Sequence, residues 1–205
     1  SFAEGTFRDE VTPEDMKASD VLGRERAQAV KAAMQHVWRG YREKAWGADE
    51  LKPRSGAKQN NWGGLGMTMV DALDTLYLMG LTEEFNDAKN WIAQNLDWGK
   101  VHRMVSVFET TIRALGGLLS AYDLSGEPVF LEKARVLADR LLPAFDTPSG
   151  LPRAQVSLSS GKAANPGWTG SASILAEVGT LQLEFRYLSK ATGNPVYARK
   201  VEKVI

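Results

Sequence analysis

The sequence predicts an all-α chain built of helical hairpins. Apolar residues recur every three or four positions over most of its length, and Pro and Gly fall mainly between those stretches. Alternate stretches are apolar on more than one side, and each of these carries an acid near its start: Asp71, Glu109 and Glu177. Alternation of buried and half-exposed helices is what a ring of helical hairpins produces, with the buried helices inside.

Residues 1–20 are polar, lack a sustained period and form an arm or stalk end; residues 21–205 are the helical part. Ser19 and Asp20 can cap a first helix reaching Ala45, with Ala27, Val30, Met34, Val37 and Tyr41 on one face. Gly, Pro, Ser and Asn break the pattern from Trp46 to Asn61. A second helix covers Met67 to Met79 and stops at Gly80. Thr82 caps a third, faced by Phe85, Ala88, Trp91, Ile92 and Leu96. A fourth starts near Val107 and runs to Leu124, before Ser125-Gly126, and Pro128 opens a fifth that reaches Phe145. Residues 151–170 are irregular, with a short extended piece at Gln155 to Leu158. A sixth helix fills Ile174 to Lys190, faced by Ile174, Val178, Leu181, Phe185 and Leu188, and Pro195 opens a seventh.

Composition narrows the function. Lys plus Arg and Asp plus Glu each count 25, so the formal charge is zero, and the signs are interspersed. A nucleic-acid partner would call for a basic excess, and none is present. Cysteine is absent, which excludes disulfides, thiolate metal sites and cysteine nucleophiles within these residues. The longest apolar run, Leu76 to Met79, is far too short to span a bilayer. No signal peptide is visible, so membrane attachment would have to come through an anchor outside this chain.

The stretch VFETTIRALGGLLSAYDLSG, residues 107–126, carries the chemistry. Glu109 stands among Val107, Phe108 and Ile112, where desolvation would favour a neutral, proton-carrying carboxyl. Arg113 lies one helical turn on, so an ordinary surface ion pair is the alternative. Gly116-Gly117 inside a helix costs about 1 kcal/mol each against Ala, which suggests close approach of another backbone. Asp71 and Glu177 are either cavity acids or helix-end and pairing residues, and Asp74 is structural. Trp46, Trp62 and Trp168 are expected in the core rather than on a sugar. His36 and His102 lack metal-ligand spacing.

The same stretch is similar to the motif of family-47 α-mannosidases in which the glutamate after Val/Leu-Phe donates the proton. YREKAWGADELKP (41–53), VDALDT (70–75), LPAFDTPSGLP (142–152) and SILAEVGTLQLEF (173–185) resemble further blocks of that family, in family order. The resemblance covers about residues 24–205, and the ILAEVGTLQLEF wording is closest to Golgi-type members. It implies an (αα)7 barrel of which this chain is the amino-terminal part. It also implies an inverting hydrolase that removes α-1,2-linked mannose from high-mannose N-glycans, in the secretory-pathway lumen, with the Golgi favoured over the endoplasmic reticulum.

Residue by residue, the resemblance makes Glu109 the catalytic acid, Arg113 a sugar-pocket residue, and Asp71 and Glu177 substrate-cavity acids. It implies a Ca2+ ion near the barrel floor, with its threonine ligand and the catalytic base lying beyond Ile205. The carboxyl-terminal part of the barrel is then the partner of residues 1–205, which alone would lack turnover. Two departures stand out: Gly99 to Met104 replaces an acidic, Asn-containing lead-in, and Arg153 stands where many members place an aromatic. The competing functions are a mannosidase-like lectin or quality-control factor that binds the glycan with little turnover, and an unrelated protein-binding helical scaffold.

Overall fold

A computed structural model of the chain describes residues 11–205. They fall into two compact units, one ending at Glu43 and one running from Lys44 to Ile205.

The first unit is almost all of helix α1 (Pro13–Ala45). Its start differs from the one expected at Ser19 and Asp20. Thr12 and Asp15 cap each other: the Asp15 N–H donates to Thr12 Oγ1 at 3.1 Å, and the Thr12 N–H donates to Asp15 Oδ2 at 3.2 Å. With Pro13 at the first helical position, Thr-Pro-Glu-Asp is a capping box, stronger than Ser19-Asp20. The Thr12 hydroxyl, which donates to Asp15 Oδ2 at 2.8 Å, and then the Thr12 N–H hold the Asp15 carboxyl below its ordinary range. Residues 13–20 of the expected polar arm are therefore helical; residues 1–10 lie outside the described residues. Val30 and Val37 are 55% and 63% exposed, whereas Trp38, Tyr41 and Ala45 are buried, so of the expected face Tyr41 is buried and the two valines are not.

The second unit is a set of helical hairpins. A two-residue ribbon, β1 (Glu50–Leu51) against β2 (Lys58–Gln59), precedes α2 (Met67–Asp71) and α3 (Leu73–Leu78). Gly80, at φ +64°, turns the chain into α4 (Thr82–Asn95). Thr82 is the first residue of α4 rather than its cap, and Phe85, Ala88 and Ile92 form its buried face as expected. After strand β3 (Met104–Ser106), one continuous helical run comprises α5 (Val107–Glu109), a π-helical turn (Thr110–Leu115) and α6 (Gly116–Ser125). Gly126, at φ +72°, donates to Tyr122 O at 2.8 Å and ends it.

Pro128 then opens α7 (Pro128–Leu141), which tightens into a 3₁₀ turn at Leu142–Phe145. Strand β4 (Gln155–Ser157) pairs antiparallel with β3 (Val105 opposite Val156) and with β5 (Ala163–Ala164). This three-stranded strap was not expected beyond its β4 piece. The sixth expected helix is two, α8 (Leu175–Gly179) and α9 (Gln182–Thr192), and Gly193 at φ +71° leads to α10 (Val196–Glu202).

Helix α6 packs against α3, α7 and α9, and α9 pairs with α10. The core between them is Leu73, Leu76, Leu115, Leu118, Phe130 and Phe185, all fully buried. Tilted ring contacts extend it: Phe85–Phe130 at 5.7 Å and Phe145–Phe185 at 5.4 Å between centroids.

Candidate active site

The site forms where β3 runs into α5. Ser106, the last residue of the strand, caps the helix, its Oγ accepting the Glu109 N–H at 3.2 Å. Glu109 thus occupies the third helical position, where the positive end of the helix suits an acid. In Ser106-Val-Phe-Glu109 the glutamate would ordinarily reach back to its own cap. Here it reaches forward, and Arg113 Nε donates to Glu109 Oε2 at 2.7 Å.

Arg113 lies within the π-helical turn. A π turn adds one residue to the helical register and is frequent at functional sites. Thr110 and Thr111 in that turn are fully buried, and their hydroxyls have no hydrogen-bond partner among the described residues. One turn beyond Arg113, Gly117 stands so close to α2 that a Cβ on it would lie 2.8 Å from Val70 O. The expected close backbone approach is therefore real at Gly117. At Gly116 a Cβ would meet nothing closer than 3.6 Å.

This approach brings Asp71, the neighbour of Val70, within reach of the arginine: Arg113 Nη1 donates to Asp71 Oδ2 at 3.4 Å. Asp71 ends the short helix α2 instead of starting a long one, because the chain breaks at Ala72. The stabilisation of a helix start considered for Asp71 is thus not available to it. Asp74 is tied into the fold, accepting from Ser120 Oγ at 2.9 Å and from the Thr75 N–H at 2.6 Å.

Glu109, Arg113 and Asp71 are 32%, 41% and 43% exposed. The desolvation expected for Glu109 is not found among the described residues. Pairs so open contribute about 0.2–1 kcal/mol each, so the trio adds little to stability. The Glu109 hydrogen bond is the largest cause raising the Arg113 pKa above its ordinary value, opposed by desolvation and aided by Asp71. Glu109 Oε1 makes no hydrogen bond among the described residues.

The expected residues are not all brought together. Glu177 sits half-buried in the first turn of α8, and its carboxylate bonds to none of the three. The tryptophans also depart from expectation: Trp46 and Trp62 are half-buried and Trp168 is 79% exposed. Trp62 lies against the site, with the Arg113 Cζ 5.5 Å from its ring centroid. Glu184 on α9 was also not singled out. Its Oε2 is buried without a partner among the described residues, and burial raises its pKa above the ordinary value. It lines a hollow of about 220 Å³ with Leu119, Asp123, Leu183 and Tyr187. The Q-L-E-F pattern, which puts this acid next to the fully buried Phe185, was the available signal.

Among the described residues, no group of three or more His, Cys, Asp or Glu is placed to hold a metal ion. No helix among them is long and apolar enough to cross a membrane.

The model of Glycosyl hydrolase family 47 matches residues 33–205. A mannosyl-oligosaccharide 1,2-α-mannosidase of Arabidopsis thaliana is 56% identical over 187 residues, 91% of this chain and 33% of that protein. Mannosyl-oligosaccharide 1,2-α-mannosidase IB of Homo sapiens is 52% identical over 183 residues, 87% of this chain and 28% of that protein. Among solved structures, the α-1,2-mannosidase from Trichoderma reesei matches with a TM-score of 0.80 at 38% identity, over 88% of this chain and 40% of that one. The chain thus spans about a third of the length of the curated relatives it matches. Its fold is all-α, helical hairpins forming part of an (αα)7 barrel. With its family model covering the whole stretch from Ala33 through Glu109 to Ile205, the chain belongs to glycosyl hydrolase family 47.

Proposed function

We propose that this chain supplies the proton-donor wall of an inverting α-1,2-mannosidase that trims high-mannose N-glycans. The observation that carries the proposal is the placement of Glu109. Its Oε2 is anchored by Arg113 while Oε1 is left available, so the carboxyl has a fixed orientation and one oxygen free to meet a leaving group. In the proposed step Glu109 gives its proton to the glycosidic oxygen as the bond to the mannose anomeric carbon breaks. In the same displacement a second carboxylate takes a proton from a water that attacks the anomeric carbon from the opposite face, and inversion requires about 6.5–9.5 Å between the two groups.

Arg113 holds the acid and, with Asp71, lines the sugar pocket; Glu177 is the cavity acid of α8. The relatives named as mannosyl-oligosaccharide mannosidases support the substrate class. Relatives named for the endoplasmic reticulum support action in the secretory pathway, with the Golgi favoured by the ILAEVGTLQLEF wording. The Ca2+ requirement rests on the family resemblance, with ligands outside the described residues.

The test is to incubate the full-length chain with a high-mannose N-glycan and follow product mass and anomeric proton signals. Stepwise loss of hexose with β-mannose appearing first is expected. Glycan bound without loss of mass would favour the lectin alternative and sink the hydrolase.

A further inference from the structure

Arg113 has two carboxylate partners and a long flexible stem, so something must hold its guanidinium between them. We propose that Trp62 is a positioning residue: its indole face fixes the Arg113 guanidinium, and through it the orientation of Glu109 and Asp71. The inference rests on the proton-donor assignment of Glu109.

The ring is itself held from two sides. Trp62 Nε1–H donates to Glu50 Oε1 at 3.0 Å, and the Trp62 backbone N–H donates to Asp49 Oδ2 at 2.9 Å. Asp49 is fully buried and also accepts the Gly64 N–H at 2.8 Å and the Met67 N–H at 3.3 Å. Its backbone carbonyl takes the Thr68 N–H at 2.9 Å and the Thr68 hydroxyl at 2.6 Å. One residue thus pins the loop from 62 to 68 at the entrance to α2. Hydrogen bonds from Asn61 and then Trp62 hold the Glu50 carboxyl below its ordinary range. Gly63, at φ +106°, lies where a Cβ would be 2.8 Å from Val101 Cγ1, so the loop also rests directly on the segment leading to β3. The ring face is therefore a rigid surface presented to a flexible cation, a geometry in which stacking removes alternatives from the arginine.

Such a role makes a specific demand. Removing the ring matters only while Arg113 is present, and another aromatic face substitutes for it. In the full-length chain, Trp62→Leu is expected to lower kcat/KM for α-1,2-mannobiose about tenfold, and Trp62→Phe by less than about threefold. In an Arg113→Met background, Trp62→Leu is expected to cost less than about twofold, which measures the coupling directly. Crystal structures of the parent and of Trp62→Leu form the second arm: the guanidinium should leave Glu109, Asp71 or both in the variant. Equal losses with and without Arg113 would overturn the proposal, because Trp62 would then act on the sugar or on the fold. Arg113 still spanning both carboxylates in Trp62→Leu would overturn it too. A parent that releases no mannose would instead refute the enzymatic assignment, and the crystallographic arm alone would decide the positioning.

Discussion

Two adjacent glycines in one helix allow an internal control. Alanine at either position would gain about 1 kcal/mol from helix propensity if nothing else changed. At Gly116 nothing else should change, since a Cβ would meet Thr111 O at 3.6 Å and the Glu184 side chain at 3.7 Å, ordinary contact distances. At Gly117 the Cβ would sit 2.8 Å from Val70 O, a backbone atom that cannot swing aside. Overpacking of this kind costs about 1–3 kcal/mol, which cancels or exceeds the propensity gain. Gly117→Ala is therefore expected to be neutral to about 2 kcal/mol less stable than the parent, and about 1–3 kcal/mol less stable than Gly116→Ala. The strain falls beside Asp71, whose contact with Arg113 is already long at 3.4 Å, so mannose release should fall in Gly117→Ala alone. Urea unfolding of the two full-length variants measures the difference. Gly117→Ala matching Gly116→Ala in stability would refute the close approach as the reason for glycine.

Asp49→Ala leaves three backbone N–H groups without their charged acceptor, so a loss of about 3 kcal/mol or more is expected in chemical unfolding. Asp49→Asn keeps an acceptor oxygen and should lose clearly less; parity of Asp49→Ala with the parent would contradict the pinning role. Tyr197 is buried and its hydroxyl donates to Asp139 Oδ1 at 2.7 Å, so Tyr197→Phe should cost about 0.5–1.5 kcal/mol. Burial first, and then the Asp139 bond, pushes the Tyr197 pKa from 10.0 up to about 12. The unfolded chain loses this proton first, so the Tyr197 contribution is full below pH 10 and is lost as pH rises toward 12. The stability difference between parent and Tyr197→Phe should shrink over that window, and a difference that grows with pH would reverse the sign of the argument.

Much of the fold was legible because the hairpins are punctuated locally. Gly80, Gly126 and Gly193 adopt left-handed turns where the chain reverses, and Pro128 starts its helix where a first-turn proline belongs. What escaped was set by longer-range effects. The breaks at Ala72 and at Thr180-Leu181 fall inside good helical patterns, and no turn residue announces them. The strap of β3, β4 and β5 is made of strands two or three residues long, too short for a period to register. For α1, Val30 and Val37 share helical spacing with the buried Tyr41, so periodicity alone did not separate the exposed part of that face from the buried part.

At the site, Glu109 with Arg113 was visible as a pair one turn apart, and Asp71 through its motif. The π turn that carries Arg113 left no mark on the pattern, and Trp62 was expected in the core because most tryptophans go there. Its proximity to Arg113 depends on a loop tied together by Asp49 across more than ten residues, which no local pattern reveals.

The central claim, that Glu109 delivers a proton to the leaving oxygen, is tested most directly by comparing two substrates that differ in their need for that proton. In the full-length chain, Glu109→Gln should lower hydrolysis of α-1,2-mannobiose by about 10²–10⁴-fold, because the amide keeps the shape but carries no transferable proton. Hydrolysis of α-mannosyl fluoride, whose leaving group needs little protonation, should fall by less than about tenfold. Equal losses on both substrates would mean that the side chain serves the shape of the pocket and not the acid step, and an unchanged rate on the disaccharide would place the proton donor elsewhere.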